Sequence, residues 1–421
     1  MEQLFARLAI TLGLLCLVGC GSDRPIDYQI HCNYTVSDPQ FAQTMGNLLG
    51  PSLQNGNMVS SLRNGDEIFP QMLSAIRRAN KSIDLESFIY WSGAVGTEFT
   101  SALCERAKAG VKVHVLVDAF GSKEIDPHFI KQLRDAGAAV YSYHPLNLFD
   151  PASWAQFDHR THRKILVVDG NVGFTGGVGI ADEWAGNGTH ADHWRDNHYR
   201  IEGPVVGQLQ AVFADNWLLT TGEVLCGDSY FPKIESAGNV WAQVCKSSPQ
   251  GGSENMQLMM LLSIKAAGKS IRIESSYFVP DKVTRDALVG AKKRGVDVQI
   301  IVPGAKIDDQ VVRHASRAQW GDLLQAGIKI YEFQPAMLHC KQLIVDDLWV
   351  SIGSSNMDNR SFRHNDEANL NVLDPNFAGE QASVFEQDKQ HSRQVTYAQW
   401  RHRPLRERIE NQLANLLAWE M

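Results

Sequence analysis

The chain has 421 residues, 44% of them hydrophobic and 21% charged, which is room for two globular domains and a sizeable core. That balance excludes a disordered tail protein, a collagen-like chain and a polytopic membrane protein. With 40 basic residues against 47 acidic the formal net charge is −7, so there is no overall basic surface and nucleic acid is not expected as a partner.

In chain order, Leu8 to Val18 is an apolar run of 11 residues. It falls short of the ~20 that span a bilayer and suits the core of a secretory signal. The run ends in Leu17-Val18-Gly19-Cys20, which resembles the lipoprotein box of bacteria. The likeness implies removal of residues 1–19, lipidation of the Cys20 thiol and a mature N-terminal tether over 20–54. It also implies a membrane-anchored lipoprotein of the bacterial cell envelope, on the periplasmic side of the outer membrane; acyl chains on one residue would hold it at the membrane surface. Beyond this segment lie Cys32, Cys104, Cys226, Cys245 and Cys340, with no CxxC and no paired Cys/His spacing, so no metal site is expected. Cys226 and Cys245 flank the connection between halves and are a candidate bridge.

The remainder is written twice, over 55–238 and 239–421. Lys81-Ser82-Ile83-Asp84-Leu85-Glu86-Ser87 recurs as Lys269-Ser270-Ile271-Arg272-Ile273-Glu274-Ser275, each copy after a predicted helix (66–79 and 254–267). Gly110 and Gly295 then close a helix and open an alternating strand, Val111 to Val117 and Val296 to Val302. Ala136 to Tyr141 matches Ala326 to Tyr331. Strand, helix, strand, helix, strand in each half predicts an α/β fold of βα units on a largely parallel sheet, with the boundary near the turn-rich stretch Ser247 to Ser253. The two domains are expected to pack as a pseudo-two-fold pair.

The fourth repeated element carries the chemistry. His162-Arg163-Lys164 leads to Asp169, and His339-Cys340-Lys341 leads to Asp346; both read HxKxxxxD, followed by the small pairs Gly176-Gly177 and Gly353-Ser354. Side chains alternate along a strand, so His162 and Lys164 share one face, as do His339 and Lys341. Each strand end can then offer an imidazole and an ammonium to one anion, while Cys340 faces the core. Asp169-Gly170 is a turn signal, so Asp169 and Asp346 read as chiefly structural members of the motif. The small residues beyond allow a phosphate to approach the backbone, with Gly177, Ser354 and Asn356 as candidate phosphate-binding positions. Two such motifs inside one repeat strongly resemble the phospholipase D superfamily.

That resemblance implies two phospholipase D-like βα sandwich domains sharing one active site, with His162, Lys164, Asp169, His339, Lys341 and Asp346 as the catalytic motif residues. It also implies a carboxylate on the far nitrogen of each histidine. The strand after each motif supplies one: Asp196 for the first half, with Glu183 as the alternative, and Glu367 for the second. One histidine attacks phosphorus while the other protonates the departing alkoxide; by resemblance His162 is the nucleophile, and the two-fold arrangement leaves the reverse open. Lys164, Lys341 and Asn356 would hold phosphate oxygens, with no cofactor. One departure stands out: the family usually has Asn where this chain has Gly179.

Phe174 to Gly177, Ile180 to Trp184, Trp194 to Asp196, Arg200 to Val206, Asn356 to Phe362 and Trp400 to Pro404 resemble bacterial cardiolipin synthases of the short type, without the N-terminal transmembrane pair. This implies transfer of a phosphatidyl group to phosphatidylglycerol, with phosphatidylethanolamine as a second candidate lipid. The competing readings are a phospholipase D-type hydrolase, a nuclease and a non-catalytic lipid-binding lipoprotein. Of the remaining features, Trp91, Trp154, Trp184 and Trp194 line either an acyl entrance or the core. His159, His190, His193 and His198 lack a closed ligand pattern and read as surface or supporting residues. Leu405, Ile409, Leu413, Leu416 and Leu417 fit one helical face, expected to pack on the second domain.

Overall fold

The structure is a computed structural model, and it describes residues 28–147, 149–249 and 253–418. The signal segment and Cys20 lie outside them. In chain order the strands are β1 (Gln54–Arg63), β2 (Ser82–Ser87), β3 (Lys112–Asp118), β4 (Ala139–Tyr143), β5 (Lys164–Val168), β6 (Val172–Gly176), β7 (Asn197–Glu202) and β8 (Val240–Ser247). They continue as β9 (Ser270–Ser275), β10 (Phe278–Val279), β11 (Asp297–Pro303), β12 (Lys329–Phe333), β13 (Lys341–Val345), β14 (Trp349–Gly353), β15 (Met357–Asp358), β16 (Glu367–Leu373) and β17 (Ser392–Val395).

Fifteen of them form one sheet in the order β17-β12-β11-β9-β13-β14-β16-β8-β1-β7-β6-β5-β2-β3-β4. Read outward from the β8–β1 contact, the halves mirror each other strand for strand, β1-β7-β6-β5-β2-β3-β4 against β8-β16-β14-β13-β9-β11-β12. The pseudo-two-fold therefore passes between β1 and β8, whose antiparallel pairing welds the halves by backbone hydrogen bonds. The expectation of a largely parallel sheet holds only for β2-β3-β4 and β9-β11-β12. The inner strands are antiparallel. The reason is local: after each motif strand the chain turns back at once, through Asp169 (φ 54°) and Gly170 (φ 61°) or Asp346 (φ 56°) and Asp347 (φ 53°), where a parallel return would need a helical crossover.

Both helices ahead of the repeated strands form as the pattern predicts. The first, Asn64–Arg78, carries Asp66 and Glu67 in its opening turn and Arg77 and Arg78 in its last, matching the helix dipole, and buries Ile68, Phe69, Met72, Leu73 and Ile76. Its counterpart is Asn255–Ala266. One large apolar cluster is centred in each half, and a third draws on both, joining Ile165, Tyr199 and Phe213 to Cys340, Ile352 and Phe385. Cys340 is thus a core residue.

Three further expectations need correction. The supposed tether is docked over its described part: Tyr28, Ile30, Cys32 and Tyr34 pack against the core of the second half, and Asp38 caps a helix, Pro39–Leu49, whose Phe41, Met45 and Leu49 recur every four residues and enter that core. Phe41 meets the Trp349 ring edge-on at 4.9 Å. Cys226 and Cys245 are not bridged, because Cys245 is buried in strand β8 while Cys226 is exposed. Finally, the helix Leu405–Asn415 turns its small face inward. Asn411, Ala414 and Leu417 are buried, whereas Leu405 (68%), Ile409 (52%) and Leu416 (64%) stay exposed. Among the described residues no helix is long and apolar enough to cross a membrane.

Candidate active site

Each motif histidine sits two residues before its lysine, just ahead of β5 or β13, and the backbone there is stitched to the opposite half. Thr161 pairs with Asp366 and Leu338 with Arg195 as isolated parallel bridges. The His162 N–H donates to the Asp366 carbonyl at 2.9 Å, and the His339 N–H to that of Arg195 at 2.7 Å. This places each histidine beside the carboxylate following its bridge partner. His162 Nδ1 meets Glu367 at 2.9 and 3.0 Å, and His339 Nδ1 meets Asp196 Oδ2 at 2.7 Å. Both expected carboxylates are at the site, but the within-half pairing is wrong: each orients the histidine of the other half. Glu183 is not the partner; it lies in a turn, its carbonyl accepting from Trp194.

The lysines close the same space. Lys164 Nζ donates to the His162 carbonyl at 2.6 Å; Lys341 Nζ donates to the His339 carbonyl at 2.7 Å and to Ser276 Oγ at 2.7 Å. All four side chains are buried. Burial drives His162 down to about 4 against the pull of Glu367, and His339 to about 3, where the Lys341 ammonium assists. Lys164 falls to about 7, through burial and then the charge of Lys341, and Lys341 is lowered for the same first reason. Burial alone would raise Asp196 and Glu367; the histidine each faces and the nearby lysines hold both below the usual carboxylate range. At neutral pH the site therefore presents two neutral imidazoles with fixed Nδ1–H tautomers beside two lysines whose protons are held less tightly than usual. That set suits attack on a phosphate ester with no metal as Lewis acid.

The remaining motif residues do other work. Asp169 accepts the N–H groups of Asn80, Lys81 and Ser82, and Asp346 those of Gly268, Lys269 and Ser270. Both sit beyond the far ends of β5 and β13, away from the histidines, as structural members. Gly177 and Ser354 are corrected from phosphate-binding to carboxylate-supporting positions. The Gly177 N–H is taken by the Asn197 carbonyl, and a Cβ there would lie 2.2 Å from Asp196 Oδ1. Ser354 Oγ hydrogen-bonds Glu367, and its N–H donates to Ala368. Asn356 does face the lysine side, accepting from Ser276 Oγ at 2.7 Å.

Of the counterpart of this Ser276–Asn356 pair, sequence reasoning singled out Gly179 and missed Phe88. At the matching positions the first half has Phe88 and Gly179. Phe88 meets the His162 ring at 5.1 Å, and Lys164 Nζ lies 5.4 Å from the Phe88 ring centre. A Cβ on Gly179 would come within 2.9 Å of Ile89 Cβ and 3.1 Å of the Trp184 ring, so the departure from Asn belongs to an apolar wall. Trp184 also donates Nε1–H to Asp196 at 2.9 Å, and with Trp194 it brackets His339, both rings at 5.2 Å. Of the four tryptophans, Trp184 is core and Trp154 is exposed. Arg195 was missed too: it binds Asp388 through two nitrogens at 2.7 and 3.0 Å, fixing the residue that leads into Asp196. The repeat could have shown the Phe88/Ser276 difference, since each follows the copied segment directly.

A family model described as "Cardiolipin synthase, PLD-like domain" matches residues 72–217 and 260–389, one segment in each half. The cardiolipin synthase of Geobacillus kaustophilus is 36% identical over 359 residues, 85% of this chain and 71% of that one. The major cardiolipin synthase of Bacillus subtilis is 35% identical over 364 residues, covering 86% and 75%. This chain belongs to the cardiolipin synthase family of phospholipase D-like proteins. Among solved structures, a phosphatidylserine synthase from Haemophilus influenzae superposes with a TM-score of 0.69 over 91% of this chain and 99% of that one; at 14% identity it shows the shared fold. In this family member the two matched segments meet at one site, and the pairs His162–Glu367 and His339–Asp196 each draw one residue from either segment.

Proposed function

We propose that this chain makes cardiolipin by passing a phosphatidyl group to the glycerol hydroxyl of phosphatidylglycerol through a covalent phosphohistidine. The observation that carries the reading is the crossed pair of buried, neutral, carboxylate-oriented histidines beside two lysines. Family relatives named cardiolipin synthase, alignable over 85% of the chain, supply the substrate class.

In the first step His162 Nε2 attacks phosphorus and the bond to the departing alkoxide breaks, its oxygen taking a proton delivered by His339. His339 lies low on the pKa scale through burial and Lys341. A phosphodiester's negative charge set between the lysines offsets them and raises the histidine toward an acid of useful strength. In the second step His339, now neutral, takes the proton of the incoming glycerol hydroxyl, whose oxygen displaces His162 from phosphorus. Lys164, Lys341 and Asn356 hold the phosphoryl oxygens as charge builds, and the Phe88 wall keeps water from the His162 side. His162 is preferred as nucleophile on family likeness.

The test is incubation of the purified chain with phosphatidylglycerol vesicles, alone and with phosphatidylethanolamine, the lipids read by mass spectrometry and His339→Ala as control. Cardiolipin from the wild type alone supports the reading; phosphatidic acid without cardiolipin moves it to hydrolysis, and no lipid product removes it. We also propose a lipid anchor at Cys20 and an envelope location, supported by the sequence Leu17 to Cys20. Metabolic labelling with a radioactive fatty acid, lost in Cys20→Ser, tests that.

A further inference from the structure

The helix Leu405–Asn415 has two apolar faces. One, through Ala414 and then Leu417 just beyond the helix, packs on Val311, Val312 and Ala315 of the helix Gln310–Ala318. The other, Leu405, Ile409, Leu413 and Leu416, recurs at helical spacing and faces out, 68%, 52%, 36% and 64% exposed. It borders an open groove of about 850 Å³ that also includes Trp400, Arg401 and Arg408. The charge around it has one sign. Glu407 is turned inward onto Arg317 and Glu410 is paired with Arg406, leaving Arg401, Arg403 and Arg408 on the outer rim. On a chain of net charge −7 this is a local reversal.

From this surface we infer that the outer face of the C-terminal helix lies in the interface of a bilayer carrying anionic phospholipid and presents the active-site mouth to that bilayer. The inference rests on the phospholipid reading above. Shallow apolar residues rimmed by arginines are what an interfacial helix needs: hydrocarbon for the acyl boundary, cations for the phosphates. A second copy of the chain fits less well, because a two-fold contact sets a patch against itself and would bring the arginines of the two copies together. Position agrees. Just past the helix, the Ala418 carbonyl accepts from Asn359 Nδ2 at 3.0 Å. Asn359 is three residues beyond Asn356, which is linked through Ser276 to Lys341. The chain just past the helix is therefore tied to the segment that follows the phosphate-holding Asn356.

The test uses the full chain in a Cys20→Ser background, so that no acyl anchor contributes, with and without Ile409→Asp/Leu413→Asp. Both substitutions are on the exposed face, and circular dichroism melting checks that the fold is kept. Flotation with phosphatidylglycerol vesicles should fall at least tenfold in the variant, and cardiolipin formation from vesicles should fall with it. Turnover of monomeric dihexanoyl-phosphatidylglycerol should stay within twofold. Arg401→Glu/Arg408→Glu should lose binding to phosphatidylglycerol vesicles more than to phosphatidylcholine vesicles. Equal flotation and vesicle turnover in wild type and variant would overturn the inference, as would a wild-type dimer that the variant splits without change in flotation. Wild type that floats through this helix yet makes no cardiolipin from either form of lipid would remove the proposed function and leave the docking surface standing.

Discussion

Replacing Asp196 with Asn changes one oxygen to an amide in a fully buried side chain 2.7 Å from His339, and leaves His162, which is closer in sequence, with its own carboxylate. A charge-assisted hydrogen bond of this kind contributes ~1.5–3 kcal/mol, about 10- to 150-fold in rate. Loss of the correct imidazole tautomer extends the damage toward ~10⁴-fold, the scale seen when a triad aspartate becomes asparagine. The informative assay uses a phosphatidyl ester of p-nitrophenol, whose anion leaves without a proton donor, and follows the burst by stopped flow. The trapped phosphoenzyme is located by mass spectrometry. With the label on His162, Asp196→Asn should keep the burst and accumulate phosphoenzyme, while Glu367→Gln should slow the burst itself by ~10²-fold or more. With the label on His339 the two variants exchange behaviour. In either case the burst fails with the carboxylate from the half that does not carry the label. A burst that fails with the carboxylate of the labelled half would refute the crossed pairing, whichever histidine is the nucleophile.

Four further outcomes follow from the same geometry. Gly177→Ala puts a methyl 2.2 Å from Asp196 Oδ1, so transfer activity should fall at least as far as in Asp196→Asn; wild-type turnover in the alanine variant would show that the carboxylate has room to move. Asp346→Asn weakens three N–H contacts at the far end of β13 and should cost ~1–2 kcal/mol of stability in urea titration with kcat within about threefold, whereas a large kcat loss at unchanged stability would place Asp346 in the chemistry. Gly179→Asn meets Ile89 and Trp184, so it should lower the melting temperature without raising activity; a faster enzyme would contradict the apolar-wall reading. His162, His198 and His339 are buried with pKa values of about 4, 4 and 3, below the ordinary ~6.5. The unfolded chain therefore takes up protons between pH ~6.5 and ~4 that the folded chain refuses, so stability falls as pH drops through that window and the loss levels off below the folded values. Asp196 and Glu367, held below the usual range, add loss below pH ~4. A urea midpoint that stays flat from pH 7 to 4.5 would sink this account.

The parts of the site legible in the sequence were those encoded by local pattern. The copied Lys81–Ser87 segment revealed the duplication, the HxK spacing put an imidazole and an ammonium on one strand face, and the family resemblance those motifs carry implied Asp196 and Glu367. What sequence distance could not give was which carboxylate meets which histidine. That depends on the bridges Thr161–Asp366 and Leu338–Arg195, which join residues about 200 and 140 positions apart. Small residues misled for a related reason. Gly177 and Ser354 were read as room for a ligand, but the same smallness makes room for the protein's own carboxylates. The C-terminal helix was misread because Leu405, Ile409, Leu413 and Leu416 carry the stronger periodic signal, while the face that packs consists of Asn411, Ala414 and Leu417.

The crossed pairs also bear on how different the two sides of such a site can become. A site assembled from two copies of one chain carries every side chain in duplicate, so a wall suited to the attacking step is imposed on the leaving step as well. Here β1 and β8 hold both copies in one polypeptide, and that duty lapses. One side keeps Ser276 and Asn356 as a polar, hydrogen-bonding flank for Lys341; the other has Phe88 and Gly179 as an apolar flank for Lys164. Neither half holds a complete histidine–carboxylate pair of its own, so neither can drift away from its twin altogether. Covalent union thus gives this fold a division of labour: a common framework that must stay matched, and facing surfaces free to specialise.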